Sequence, residues 1–171
     1  MSVSPAFSPP QSPEREHSTL IQQARISCQL KKQFTQDNQF TYVLELQNGH
    51  IYVGRTLNIY QRLMTHLFDW AENGVEWIKL HGPVVRVVEI YSECTKDEEA
   101  YLTLLWMHRM GWERVRGGPW AKRVLKNMPR ELDQRRNWDQ FDVRPTHCKY
   151  LSRKAIDKII QTITKIHNEE V

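Results

Sequence analysis

The stretch that decides the fold is FTYVLELQNGHIYVGRTLNIYQRLMTHL, Phe40–Leu67. Phe40 to Leu46 alternates, with Tyr42, Leu44 and Leu46 on one parity, as a strand does. Asn48-Gly49 follows, the pair that best tolerates the positive φ values of a tight hairpin turn. Ile51 to Gly54 then reads as the return strand. From residue 57 to 70 the period lengthens to that of a helix, with Ile59, Leu63, Leu67 and Trp70 as its apolar stripe and Asn73-Gly74 as its stop.

Outward from this core, Pro83 precedes VVRVVEIY (84–91), a short β-branched run that reads as a well-buried strand. Thr95 is placed to cap the next helix, with Glu98 three residues on completing a capping box. That helix runs to Met110 and stops at Gly111. Residues 112–149 read as polar and irregular, broken at Gly117-Gly118-Pro119. Ile156, Ile159, Ile160, Ile163 and Ile166 then mark a terminal amphipathic helix. The expected organisation is a disordered tail over 1–16, an N-terminal helix over 17–36, a compact domain over 38–127, and a polar linker with a C-terminal helix over 128–171. The fold class is α+β, with a small three-stranded antiparallel sheet flanked by helices.

The whole chain has 171 residues and a formal charge of +4, which fits one domain with tails. No apolar run reaches the roughly 20 residues that cross a bilayer, so no membrane partner is expected. The N-terminus lacks the basic-then-apolar pattern of a signal peptide. Cys28, Cys94 and Cys148 are odd in number and form no C-x-x-C pair, which argues against a disulfide framework or zinc site. An intracellular, reducing location, cytoplasmic or nuclear, is expected.

Four residues stand out chemically. Tyr42 and Tyr52 lie on the two hairpin strands, and Arg62 and His66 are four apart on one helix face, flanking its apolar stripe at the rim where helix meets sheet. Arg holds phosphate through paired hydrogen bonds, while His and Tyr can move protons. A strict two-residue turn at Asn48-Gly49 would set Glu45 opposite Tyr52 and throw Tyr42 onto the other face. A shared site therefore requires a three-residue loop or a bulge. Taken singly, each Tyr is most simply a packing residue, Arg62 a solvated residue and His66 a structural histidine; the ordered set favours the functional reading.

Tyr42-Val43-Leu44, then Tyr52-Val53-Gly54, then Arg62 and His66 resemble the GIY-YIG nuclease superfamily. Phe40-Thr41-Tyr42 stands where Gly-Ile-Tyr is usual, so only the tyrosine of that triplet matches. Trp77, His81-Gly82-Pro83 and Val115-Arg116-Gly117-Gly118 look like a subgroup common in large DNA viruses and protists. The resemblance implies DNA phosphodiester hydrolysis with one divalent cation, usually Mg2+ (Mn2+ being another). By analogy Tyr42 is the general base, Tyr52 orients water or phosphate, Arg62 stabilises the phosphorane and His66 tunes a tyrosine. An ordinary tyrosine, near pKa 10, is a poor base at neutral pH, so its neighbours must lower it.

The resemblance also implies a metal-binding Glu ahead of an aromatic-aliphatic pair. With Trp106-Met107 as that pair, the position falls on Thr103, a poor ligand for a hard cation. Glu99 lies one turn earlier on the same face, and Glu98 beside it is turned away. Either Glu99 (with Glu98 as its neighbour) supplies the metal site, or catalysis is weakened or lost. The same acidic run is also favourable charge in a first helical turn.

Arg55 at the strand end and the segment holding Arg114, Arg116, Lys122 and Arg123 suit DNA phosphates, with Trp112 and Trp120 interleaved. The plainer alternative is a solvated loop anchored by two Trp. The function expected is a DNA endonuclease. Its rivals are a catalytically silent nucleic-acid-binding domain and a protein-interaction module that uses the terminal helices, through which a homodimer is also admitted.

Overall fold

The computed structural model describes residues 39–134 and 148–170. The expected tail (1–16) and N-terminal helix (17–36) lie outside the described residues, as does the linker over 135–147. The elements in order are β1 (Gln39–Leu46), β2 (Ile51–Thr56), α1 (Ile59–Phe68), α2 (Trp70–Asn73), α3 (Glu76–His81), β3 (Val84–Cys94), α4 (Lys96–Met110), β4 (Val115–Gly117), α5 (Arg130–Gln134), β5 (Lys149–Tyr150) and α6 (Arg153–Glu170).

The sheet has five strands in the order β4-β2-β1-β3-β5. Its three central strands are antiparallel, as expected, with β1 paired to both β2 and β3. The expectation of three strands in all is corrected: β4 adds in parallel to β2, and β5 adds antiparallel to β3. Both lie in the segment read as irregular. Strands of three and two residues are too short to show a period, so their pairing is tertiary.

The hairpin meets the parity requirement. Asn48 and Gly49 take left-handed backbone, at φ 58° and 73°, and His50 N–H donates back to Gln47 O. Leu46 N–H also donates to His50 O at 2.8 Å, so Gln47–Gly49 forms a three-residue loop. Leu44 then faces Tyr52, and Tyr42 faces Gly54. Both tyrosines fall on one face.

That face packs Tyr42, Leu44, Leu46 and Tyr52 against Ile59 and Leu63 of α1, Trp77 and Ile78 of α3, and Ile156, Ile159 and Ile163 of α6. The terminal isoleucines are thus part of this chain's own core. The other face packs Val43, Ile51 and Val53 against Leu102, Leu105 and Met107 of α4. The helix expected over 57–70 breaks at Asp69, whose backbone leaves helical geometry at φ −131°, and restarts as α2.

Candidate active site

Gly54 is the geometric key. It lies across from Tyr42 in the ladder, and a Cβ there would overlap the Tyr42 hydroxyl. The missing side chain lets the phenol ring lie over the backbone of β2. The two tyrosine rings are 6.3 Å apart. Helix α1, capped by the Asn58 side chain accepting from Gln61 N–H at 3.2 Å, delivers Arg62 and His66 to the same face.

Tyr42 Oη lies 2.8 Å from His66 Nε2. Arg62 Nε donates to the same oxygen at 3.3 Å, and the guanidinium charge also acts on Tyr52. Burial, followed by the charge of Arg62, lowers His66 to about 3, so its ring is neutral at physiological pH. The consistent arrangement has Tyr42 O–H donating to Nε2 while the phenol oxygen accepts from Arg62. His66 Nδ1 is buried and has no partner among the described residues. His66 was expected at the rim; it is fully buried instead, beside Leu63. The ring packs inward against the Tyr42 and Tyr52 rings of the sheet, at 5.5 and 5.7 Å.

Both tyrosines are held protonated. Burial pushes Tyr42 well above the usual phenol range, reinforced by Tyr52 and opposed by Arg62. Burial likewise raises Tyr52, again opposed by Arg62. The neighbour needed to acidify the base is therefore present, but desolvation outweighs it.

Glu99 approaches from the α4 side of the sheet. The pairing of β4 with β2 ends at Val53, opposite Gly117, and the segment after it carries Arg55. Arg55 Nε is 3.2 Å from Glu99 Oε2. Gly118 N–H also donates to the Glu99 carboxylate. Burial raises the Glu99 carboxyl above its ordinary value, with Arg55 and the Gly118 N–H opposing. Its charge reaches both tyrosines and helps to raise them.

Thr103 is fully buried, and its hydroxyl donates to Glu99 O at 2.8 Å. A Cβ on Gly117 would press on that hydroxyl, so the Thr103 side chain is walled in. Glu98 stands apart: it accepts from Thr95 N–H at 2.7 Å and from the Thr95 hydroxyl in the expected capping box. Of the two, Glu99 is the carboxylate whose charge reaches the tyrosines. One carboxylate suits Mg2+, which keeps most of its water and takes further oxygens from a bound phosphate.

Residues 38–113 match the family of the GIY-YIG catalytic domain. This segment is a GIY-YIG domain. The match agrees with the ordered Tyr42, Tyr52, Arg62 and His66 that this segment carries. No curated protein and no solved structure matches the chain.

The basic residues divide. Arg114, Lys122 and Arg123 are exposed. A Cβ on Gly49 would lie 3.3 Å from the Arg114 guanidinium, which puts Arg114 at the hairpin end of β2, away from Arg55. Arg116 is only 5 % exposed, and its guanidinium donates to Lys122 O at 2.9 Å, Trp112 O at 2.9 Å and Val115 O at 2.8 Å. It also stacks over Trp77, 4.3 Å from the ring centre. Arg116 therefore fastens the loop after β4 and does not face solvent. Sequence reading gave no sign of this, because an arginine satisfied by backbone carbonyls looks like any other arginine in a basic run. The partnerships of Gly54 and Gly118 escaped for the same reason.

Proposed function

We propose that this domain is a divalent-metal-dependent DNA endonuclease whose reacting centre is Tyr42, Tyr52, Arg62, His66 and Glu99. The observation that carries the reading is the Tyr42 hydroxyl, clamped between the His66 ring and the Arg62 guanidinium, with a half-buried carboxylate within electrostatic reach. Glu99 would hold Mg2+ or Mn2+. When bound, the cation supplies positive charge at the scissile phosphate, where negative charge grows.

The remaining chemistry belongs to the side chains. Tyr42 is fully buried and Tyr52 is 7 % exposed, so Tyr52 stands nearer the entrance and orients the attacking water or phosphate. Tyr42 receives a proton from that water while its own proton, already directed at Nε2, moves toward neutral His66. Arg62 serves both phenols and retains further N–H groups of its five for the phosphorane oxygens. Exposed Arg114, Lys122 and Arg123 contact the DNA backbone farther along the duplex.

A second reading, a DNA-binding domain without catalysis, is favoured by one feature: Arg55 already neutralises Glu99. Supercoiled plasmid distinguishes the two. Purified full-length chain is expected to nick it with Mg2+ and not with EDTA, and Tyr42→Phe and Glu99→Gln are each expected to abolish nicking while binding persists. Cutting that survives both substitutions would sink the site assignment. Salt-dependent binding without cutting in any divalent metal would establish the silent reading.

A further inference from the structure

Two cysteines distant in sequence meet at the opposite edge of the sheet. Cys94 ends β3 and is fully buried; Cys148 directly precedes β5 and is half-buried. The strands pair with Tyr91 opposite Tyr150 and Ser92 opposite Lys149. Continued regularly, that register would set Glu93, not Cys94, across from Cys148. Glu93 instead takes left-handed backbone at φ 60°, and the pairing of β3 with β1 slips at the same point, between Gln39 and Thr41. The bulge takes the end of β3 out of that register, and Cys94 lies within reach of the Cys148 side chain. Cys94 Sγ is further fixed by donating to Ser92 O at 3.7 Å, and its sulfur accepts from the Cys148 thiol. Both cysteines belong to the core layer under α4.

We infer that Cys94 and Cys148 are an oxidative modification site, a dithiol that closes reversibly into a disulfide joining β3 to the β5–α6 segment. The oxidant is hydrogen peroxide. One thiolate attacks the peroxide oxygen and becomes a sulfenic acid, releasing hydroxide; the second thiol displaces water from that sulfur and forms the S–S bond. In sum, two thiols and one peroxide give one disulfide and two waters, with each sulfur losing one electron.

The hydrogen bond between the sulfurs favours the first step. It lowers the Cys94 thiol and raises that of Cys148, so one sulfur of the pair gains thiolate character while the other keeps the proton. Cys148, the more accessible sulfur, opens the pair to oxidant and reductant. In a reducing compartment the dithiol form prevails, and the bond forms under oxidative load. Closing the long loop between Cys94 and Cys148 restricts the unfolded chain, so oxidation also stabilises the fold. This inference stands whether or not the domain cuts DNA.

The test uses the full-length chain treated with hydrogen peroxide, then quenched in acid, denatured, alkylated and digested for mass spectrometry. The expected result is a Cys94–Cys148 linked peptide, lost on dithiothreitol treatment, with Cys28 still alkylated. Oxidised protein should unfold at higher urea than reduced protein, a shift that Cys28→Ser retains and Cys148→Ser removes. Because Cys148→Ser leaves Cys94 in place, an unchanged urea midpoint for the reduced variant shows that it is folded. Full alkylation of Cys94 and Cys148 after oxidation of folded wild-type protein, or a bridge to Cys28 in place of this one, would overturn the inference.

Discussion

Arg55 Nε stands 3.2 Å from Glu99 Oε2, tying the end of β2 to the first turn of α4. The two residues are adjacent to the motif from different directions: Arg55 follows Gly54 in sequence, and Glu99 reaches the same place from the other side of the sheet. A cation that takes Glu99 must compete with this guanidinium. On the proposed reading of Glu99 as metal ligand, the pair sets both the charge of the carboxylate and the ease with which a cation would enter.

The first prediction concerns that pair. Burial raises the Glu99 carboxyl, and Arg55 opposes the rise. Removing the guanidinium moves the carboxyl higher still, so Glu99 takes up its proton at higher pH. For Arg55→Ala the acid limb of the cleavage rate, measured from pH 5 to 9 at subsaturating Mg2+, is expected to shift toward higher pH, with the alkaline plateau reached later. Arg55→Lys should restore most of the limb. A limb that does not move would detach Glu99 from the metal.

Gly54 and Tyr42 form the second test. An alanine methyl at Gly54 overlaps the Tyr42 hydroxyl, so the ring must leave its position between His66 and Arg62. Gly54→Ala is expected to lower the cleavage rate by about 10²-fold or more, the scale of a 1 Å misplacement. Tyr42→Phe keeps the ring but removes the proton-transfer group, for a loss on the order of 10² to 10⁴. It also leaves His66 Nε2 without its partner, a destabilisation of about 1–3 kcal/mol readable by urea unfolding.

His66 supplies the third. Its folded-state value is about 3, below the ordinary 6.5 of the unfolded chain. Above pH 6.5 both states hold a neutral ring and nothing depends on pH. As pH falls from 6.5 toward 3 the unfolded state binds a proton that the folded state refuses, so stability is progressively lost. The full effect is on the order of 5 kcal/mol at about 1.4 kcal/mol per pH unit. Urea midpoints at pH 7, 5.5 and 4 should fall steeply for the wild type and less steeply for His66→Gln. For the same reason the cleavage profile should show no limb near pH 6.5 that His66→Gln removes.

What the sequence disclosed follows from the range of the interactions involved. The hairpin, α1 and α4 rest on local periodicity and caps, and were legible; so was the need for an extra loop residue, because parity is arithmetic on residue numbers. The capping box at Thr95 and Glu98 was legible for the same local reason. The strands β4 and β5 were not, since three and two residues acquire strand character only from β2 and β3 beside them. The walling-in of Thr103 depended on Gly117 packing over its hydroxyl, a contact between segments with no shared period. The inward turn of His66 depended on the Tyr42 and Tyr52 rings, which come from strands more than a dozen residues away.

Arg116 gives the last prediction, because it separates structure from DNA contact within one basic run. Its guanidinium serves three backbone carbonyls and the Trp77 ring, a fork that lysine does not reproduce. Arg116→Lys and Arg116→Gln are expected to cost about 2–4 kcal/mol, from charged hydrogen bonds lost with their carbonyls left buried. DNA affinity of the protein that remains folded should keep its dependence on salt. Replacing exposed Arg114, Lys122 and Arg123 together with Gln should do the reverse. Stability should change by no more than about 0.5 kcal/mol per site. The slope of log K against log salt should fall by about 0.9 for each phosphate contact removed. Fluorescence anisotropy on a labelled duplex at several salt concentrations, beside urea unfolding, reads both quantities. If Arg116→Gln lowers the salt slope and leaves the urea midpoint unchanged, its guanidinium faces phosphate and not the carbonyls.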